Sequence, residues 1–249
     1  DSLWITKLDA EKTVLPLFRP ADLAAQLPVG APRLIVLDPG HGGTDPGTEN
    51  RKAGITEKVA ALDVAWRVRR LLEARGYQVK MTREKDTRFS GNPRVDLPMR
   101  AAFANKALAD LFVSIHFNNA PDSIKGVETY TLPPQHMLST AATEPDDDTK
   151  RAFPGNRYDH ANLLLGFALH RALVTGLDAS DRGYKRARWA VLRTLTAPGV
   201  LVECAYLSHD EEARRVAKPE YRQQIAESIV AGIVAYSAQI ETLRPAPKK

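Results

Sequence analysis

The chain has a single cysteine, Cys204. That excludes an internal disulfide and a cysteine-based zinc site. Cys204 stands in an apolar run and reads as a small core residue. Long hydrophobic stretches are missing too, and none approaches the ~20 residues of a membrane-spanning helix. The sequence starts at Asp1 without Met and without the basic-then-apolar pattern of a secretion signal. We therefore expect a mature or trimmed form. There is no local His-Glu-x-x-His pair, no internal repeat and no domain linker. No signature of RNA or DNA recognition accompanies the charge balance.

What is present suits a globular α/β protein. The 249 residues suffice for one large domain or two small ones, and at 43% hydrophobic they can bury a sizeable core. The net charge of +5 favours an anionic partner without requiring nucleic acid; a solvated basic surface is the better explanation of it.

Along the chain, apolar runs alternate with helical periodicities. Residues 1–32 read as an N-terminal extension, a strand and a short helix packed on or leading into the domain. Arg33 to Leu37 is the first core strand, broken at Asp38-Pro39-Gly40, after which His41 stands among glycines. Thr56 caps a helix running to about Arg75, with Val59, Leu62 and Trp66 at helical spacing. Glu57 lies in its first turn, where a carboxylate suits the helix dipole whatever else it does. Tyr77–Met81 is a second strand, and a helix starting at Pro98 points Met99, Ala102 and Phe103 inward. Leu111–Ile115 is a buried strand ending at His116, and Gly126–Leu132 is strand-like. Residues 133–158, with four prolines, read as a loop insertion. Asp159 starts a helix with Leu163, Leu164, Phe167 and Leu173 inward and His160 and His170 on its surface. Tyr184–Leu195 is basic and strand-like. Gly199–Val202 is the last buried strand, ending at Glu203; a short helix follows Ser208, and a final one runs from Pro219 to about Ile240.

Three core strands thus end in His41, His116 and Glu203, and a helix start supplies Glu57. In a parallel arrangement all four reach one rim of the sheet. Two imidazoles and a carboxylate suit zinc with a position left for water, and a further carboxylate nearby can move protons. Taken alone, each residue has a structural alternative: His41 in a surface turn, His116 as a core histidine, Glu57 as a helix-start charge.

The residues also carry a resemblance. Asp38-Pro-Gly-His-Gly-Gly43, Asp45-Pro-Gly47, Glu57-Lys58, Thr82-Arg83, Ser114-Ile-His-Phe-Asn118, Lys125-Gly126, Arg182-Gly183, and Val202-Glu203 followed by Leu207-Ser208 occur in one order over residues 33–240. In this the chain resembles the zinc-dependent N-acetylmuramoyl-L-alanine amidases, the group that contains the cell-division amidases. The resemblance implies a single α/β domain with a twisted, mixed, mostly parallel sheet flanked by helices on both faces. It implies one zinc per chain on His41, Glu57 and His116, with Glu203 as the catalytic carboxylate. The substrate expected is peptidoglycan, cleaved between N-acetylmuramic acid and L-alanine, in the periplasm or outside the cell after removal of a signal peptide. Asn118 and Arg182 are candidate substrate contacts. The chain departs from the family pattern at Cys204-Ala205-Tyr206, which replaces a smaller run, and at His209, where Asn is usual.

Some relatives carry an inhibitory helix where residues 133–158 lie; the prolines here speak against one long helix, and we expect a lid or substrate-side loop on which an activator protein can act. Residues 33–240 are then the catalytic domain and 241–249 a polar tail. Competing readings are a non-catalytic wall-binding domain, which needs a broken ligand set, a metallopeptidase, whose His-x-x-Glu pair is absent, and a nucleic-acid binder.

Overall fold

The computed structural model describes residues 5–140 and 148–247. The chain enters through helical turns: α1 (Lys7–Asp9), a π-helical turn (Ala10–Val14), α2 (Leu15–Phe18) and a 3-10 turn (Pro20–Gln26). No strand occurs among the described residues of this segment, contrary to the expectation. Pro16 and Pro20 sit in the first positions of their turns, where a fixed φ favours helix and no donor is lost. The segment closes on the end of the chain, where Gly30 N donates to Arg244 O at 2.7 Å and Ala31 N to Glu241 Oε2 at 2.7 Å.

The strands are β1 (Leu34–Pro39), the short antiparallel pair β2 (Glu49–Asn50) and β3 (Ile55–Thr56), β4 (Gln78–Met81), β5 (Leu111–Asn118), β6 (Val127–Thr131), β7 (Asp181–Arg186) and β8 (Gly199–Tyr206). Six of them form one sheet in the order β4-β1-β5-β8-β6-β7. The first four are mutually parallel; β6 runs antiparallel to β8 and parallel to β7. The helices are α3 (Glu57–Glu73), α4 (Pro93–Lys106), α5 (Asp159–Leu177), α6 (Ala190–Arg193), α7 (Asp210–Val216) and α8 (Pro219–Leu243).

Strand side chains alternate between two faces. Ile35, Leu37, Val113, Ile115, Val200 and Val202 pack against α3, α5 and α8. Val36, Phe112, Leu201 and Tyr130 pack against α4 and α6. By the same alternation Asp38, Ser114, His116, Glu128 and Glu203 fall on the α4/α6 face, so the chemistry-bearing residues share one side of the sheet.

Several expectations are corrected. In α3 the buried stripe is Glu57, Ala60, Ala61, Val64, Ala65, Val68 and Leu72, while Val59 is 51% exposed. Small alanines let the helix lie close to the sheet, and the larger apolar residues take its flanks. α4 starts at Pro93, capped by the Asn92 side chain, and buries Ala101 and Ala104 while Met99 stays exposed. In α5, Phe167 is exposed, whereas His160 and His170 are buried. The His170 ring bridges Thr129 Oγ1 and Asp181 Oδ1 at 3.1 and 2.9 Å, so partners on β6 and β7 hold it inside. The strand expected over 184–195 stops at Arg186, and α6 follows, packing Val191 and Leu192 under the sheet.

Candidate metal centre

β1 ends in Asp38-Pro39, and the chain turns through Gly40 to place His41 in the left-handed region at φ 60°. A Cβ on Gly40 would lie 2.3 Å from Cε1 of His116, so only glycine lets the two histidine segments approach. His41 Nδ1 faces Asp45 Oδ2 at 2.9 Å, which leaves Nε2 facing Glu57 Oε1 at 3.0 Å.

Glu57 opens α3 and is 3% exposed. Its Oε2 accepts from Thr48 N at 2.9 Å, and its Oε1 accepts from Phe117 N at 3.0 Å. The same Oε1 lies 2.9 Å from His116 Nδ1. One carboxylate oxygen therefore meets two imidazole nitrogens, and ligand atoms of His41, Glu57 and His116 all fall within 4.8 Å of one another. When a neutral His41 donates its Nδ1–H to Asp45, Nε2 carries a lone pair toward the Glu57 oxygen. Such a donor set fits a metal cation, and the Asp45–His41 contact is the outer support that metal-binding histidines use.

The electrostatics of the cluster favour a positive charge, whether a proton or a cation. Burial works to raise the Glu57 carboxyl, but hydrogen bonds to His116 and His41 hold it far below the usual carboxylate range. Burial works to lower His41, but Glu57 and Asp45 outweigh it and raise its proton affinity.

Glu203 is the neighbour of His116 in the β5–β8 register and of Glu128 in the β8–β6 register. Its Oε2 is buried without a hydrogen-bond partner. Burial, reinforced by the charges of Glu57 and Glu128, pushes its pKa well above the ordinary carboxylate value. A cavity of about 320 Å³ opens over these groups, lined by His41, Glu57, His116, Asn118 and Glu203 and walled by Leu97, Trp189 and Leu201. A larger groove of about 840 Å³ between α5 and α8 contains none of them.

The structure thus brings His41, Glu57, His116 and Glu203 together at one rim. Asn118 joins the cavity lining, its Nδ2 donating to Glu128 Oε2 at 3.0 Å. Arg182 does not line the cavity; it lies on β7 with Nε 3.8 Å from Glu128 Oε1. Of the loop insertion, residues 141–147 lie outside the described residues, and the described part does not line the cavity. Sequence reading missed Glu128, which is 2% exposed and also bonded by Tyr130, Lys185 and Tyr206. The available signal was a lone carboxylate within a strand-like alternation, weaker than the apolar run that exposed Glu203.

A mostly parallel sheet carrying a His–Glu–His cluster at one rim defines the class: an α/β domain with a site able to hold a metal ion. Residues 35–235 match the model of the N-acetylmuramoyl-L-alanine amidase family, and the chain belongs to that family. The N-acetylmuramoyl-L-alanine amidase AmiC of Escherichia coli is 36% identical over 236 residues, covering 85% of this chain and 54% of the relative. The first curated relatives are matched over only 35% to 54% of their own length. Among solved structures, an N-acetylmuramoyl-L-alanine amidase from Clostridium difficile 630 superimposes with a TM-score of 0.66 at 29% identity, covering 82% of this chain and 96% of that one. The CwlD amidase of Clostridioides difficile, in complex with the GerS lipoprotein, gives 0.67 at 25% identity, covering 83% and 99%.

Proposed function

We propose that this chain is a zinc-dependent N-acetylmuramoyl-L-alanine amidase that hydrolyses the amide between the lactyl group of N-acetylmuramic acid and L-alanine of the peptidoglycan stem. The observation that carries the reading is the convergence of His41 Nε2, Glu57 Oε1 and His116 Nδ1 beside the half-buried Glu203. Two imidazoles and one carboxylate suit zinc among the common divalent ions. Zinc held there supplies a Lewis acid that acidifies water and polarises the amide carbonyl.

The chain's own residues do the rest. Asp45 fixes the His41 ring so that Nε2 stays available. Glu203 takes a proton from the attacking water and returns it to the departing L-alanine nitrogen. A carboxyl raised by burial and neighbouring charge holds a proton more readily, which suits a group that must both accept and donate. Asn118 contacts substrate at the cavity rim, and Arg182, 38% exposed, steers anionic wall polymers.

On this reading residues 33–240 form the catalytic domain, 1–32 an extension packed against it and 241–249 a polar tail. The insertion at 133–158 is a lid or substrate-side loop and the place where an activator acts; the CwlD complex with a lipoprotein is a precedent for a protein partner. The site of action is the periplasm or the extracellular wall, where the substrate lies.

Metal analysis and product analysis on purified protein incubated with peptidoglycan test the proposal. The expected result is about one zinc per chain and free stem peptides beginning with L-alanine. Metal without that product would reject the substrate; no metal would reject the mechanism.

A further inference from the structure

Beneath the metal centre lies a buried charged network that no step above uses. Asp38 is wholly buried, and Arg100, Arg83 and Asp96 are 2%, 5% and 5% exposed. Burying four ionised groups is unfavourable unless their hydrogen bonds are met, and the direction of these bonds is informative. Arg83 Nε donates to Pro39 O at 3.0 Å, and its Nη2 donates to both Gly40 O and Lys58 O at 2.8 Å. Arg100 donates to Pro39 O at 3.0 Å and to His41 O at 2.9 Å. Two guanidinium groups thus hold the carbonyls of three consecutive residues, 39 to 41, and the third of these is the left-handed His41. Asp38 in turn accepts from Thr82, Arg100 and Ser114 at 2.6 to 2.9 Å, tying β1 to the β4 exit and to β5.

The Arg83 contact to Lys58 O joins the turn that carries His41 to the first turn of α3, which carries Glu57. An outer rung repeats the connection at the surface: Asp86 accepts from Gly43 N at 2.7 Å and from Lys58 Nζ at 2.8 Å. Burial and the like charge of Arg100 push Arg83 down to about 10, so the guanidinium stays protonated at neutral pH.

We propose that Arg83 is a positioning residue for the metal centre: its guanidinium sets the separation of His41 from Glu57 by gripping the backbone of both ligand segments, with Asp86 as an outer brace. The inference rests on the metal-site reading above. A lysine at position 83 has one ammonium on a flexible stem and cannot bridge both segments as a planar fork does.

The test is cobalt(II) titration of the metal-free full chain, following visible absorption and the dissociation constant, alongside thermal melting of the metal-free protein. Arg83→Lys is expected to weaken cobalt binding by roughly 10- to 100-fold, as loss of an outer support does, and to alter the absorption envelope. Asp86→Asn, at a side chain 56% exposed, is expected to weaken binding several-fold with an unchanged melting temperature. Ile229→Val, in the core on α8, serves as the control: it lowers the melting temperature and leaves cobalt affinity alone. Unchanged affinity in both network variants, or a loss no larger than in the control, overturns the proposal. Failure of the wild-type chain to bind cobalt overturns the metal-site reading as well, so the two failures are distinct.

Discussion

Glu203 shows how a residue's task follows from what surrounds it. It sits on an apolar strand between His116 and Glu128 in register, with one oxygen buried and unpaired. A carboxylate placed there without a partner destabilises the fold, so its presence points to chemistry. Glu203→Gln should keep metal content at the wild-type level and lower turnover by roughly 10²- to 10⁴-fold. Metal analysis and single-turnover kinetics on the same preparation decide it, and full activity would exclude Glu203 as the proton carrier. This residue and His116 were legible in the sequence because each ends an apolar run. Arg83, Arg100 and Asp38 were not, because a buried ion pair looks like surface charge until the fold brings its partners together from distant segments. His170 misled in a similar way: its partners Thr129 and Asp181 lie on β6 and β7 and not on its own helix.

At the scale of elements, the alternation of strands and helices was legible, and the helix faces less so. Large apolar residues at 59, 62 and 66 suggested one face of α3, yet alanines at 60, 61 and 65 mark the side against the sheet. Close packing favours the small residue when two elements must approach. The α5–α8 pair makes the same point: a Cβ on Gly232 would lie 2.7 Å from Leu169 Cα. Gly232→Val should destabilise by about 1–3 kcal/mol through overpacking. The expected outcome is a lower melting temperature with unchanged kcat in the folded fraction, since the α5–α8 contact is on the opposite face from the cavity. A wild-type melting temperature would show that the helices separate without strain. The basic segment after β7 was read as continuing strand; α6 forms instead, because Val191 and Leu192, five and six residues past the strand end, pack under the sheet.

For the whole molecule, the proposed metal centre makes stability depend on metal as well as on protons. A metal that binds only the folded state adds stability in proportion to the logarithm of its free concentration. Chelation should therefore lower the melting temperature, and titrating zinc back should restore it progressively; a melting temperature indifferent to chelator would contradict occupancy of the centre. Acid acts through Asp38. Burial works to raise its pKa, but Arg100, Thr82, His116 and Ser114 overcome this and hold it below the ordinary value. The unfolded chain then takes up that proton first. The stability carried by Asp38 is complete above the unfolded value of about 4 and is lost as pH falls from there toward the folded value. Asp38→Asn should melt lower at neutral pH and show a shallower decline of melting temperature below about pH 4. Equal slopes by scanning calorimetry would remove Asp38 from the acid response. The mixed sheet with its reversed β6–β7 pair is a whole-molecule feature that strand patterns alone do not determine, since pairing direction depends on crossovers.

That sheet ends in β4 on one side and β7 on the other. β4 has only four residues, with Lys80 pointing outward, and β7 carries Asp181, Arg182, Lys185 and Arg186. A brief strand or a charged one makes a poor template for a foreign strand. Strand-to-strand pairing between copies of this chain therefore finds little purchase at either margin of the sheet.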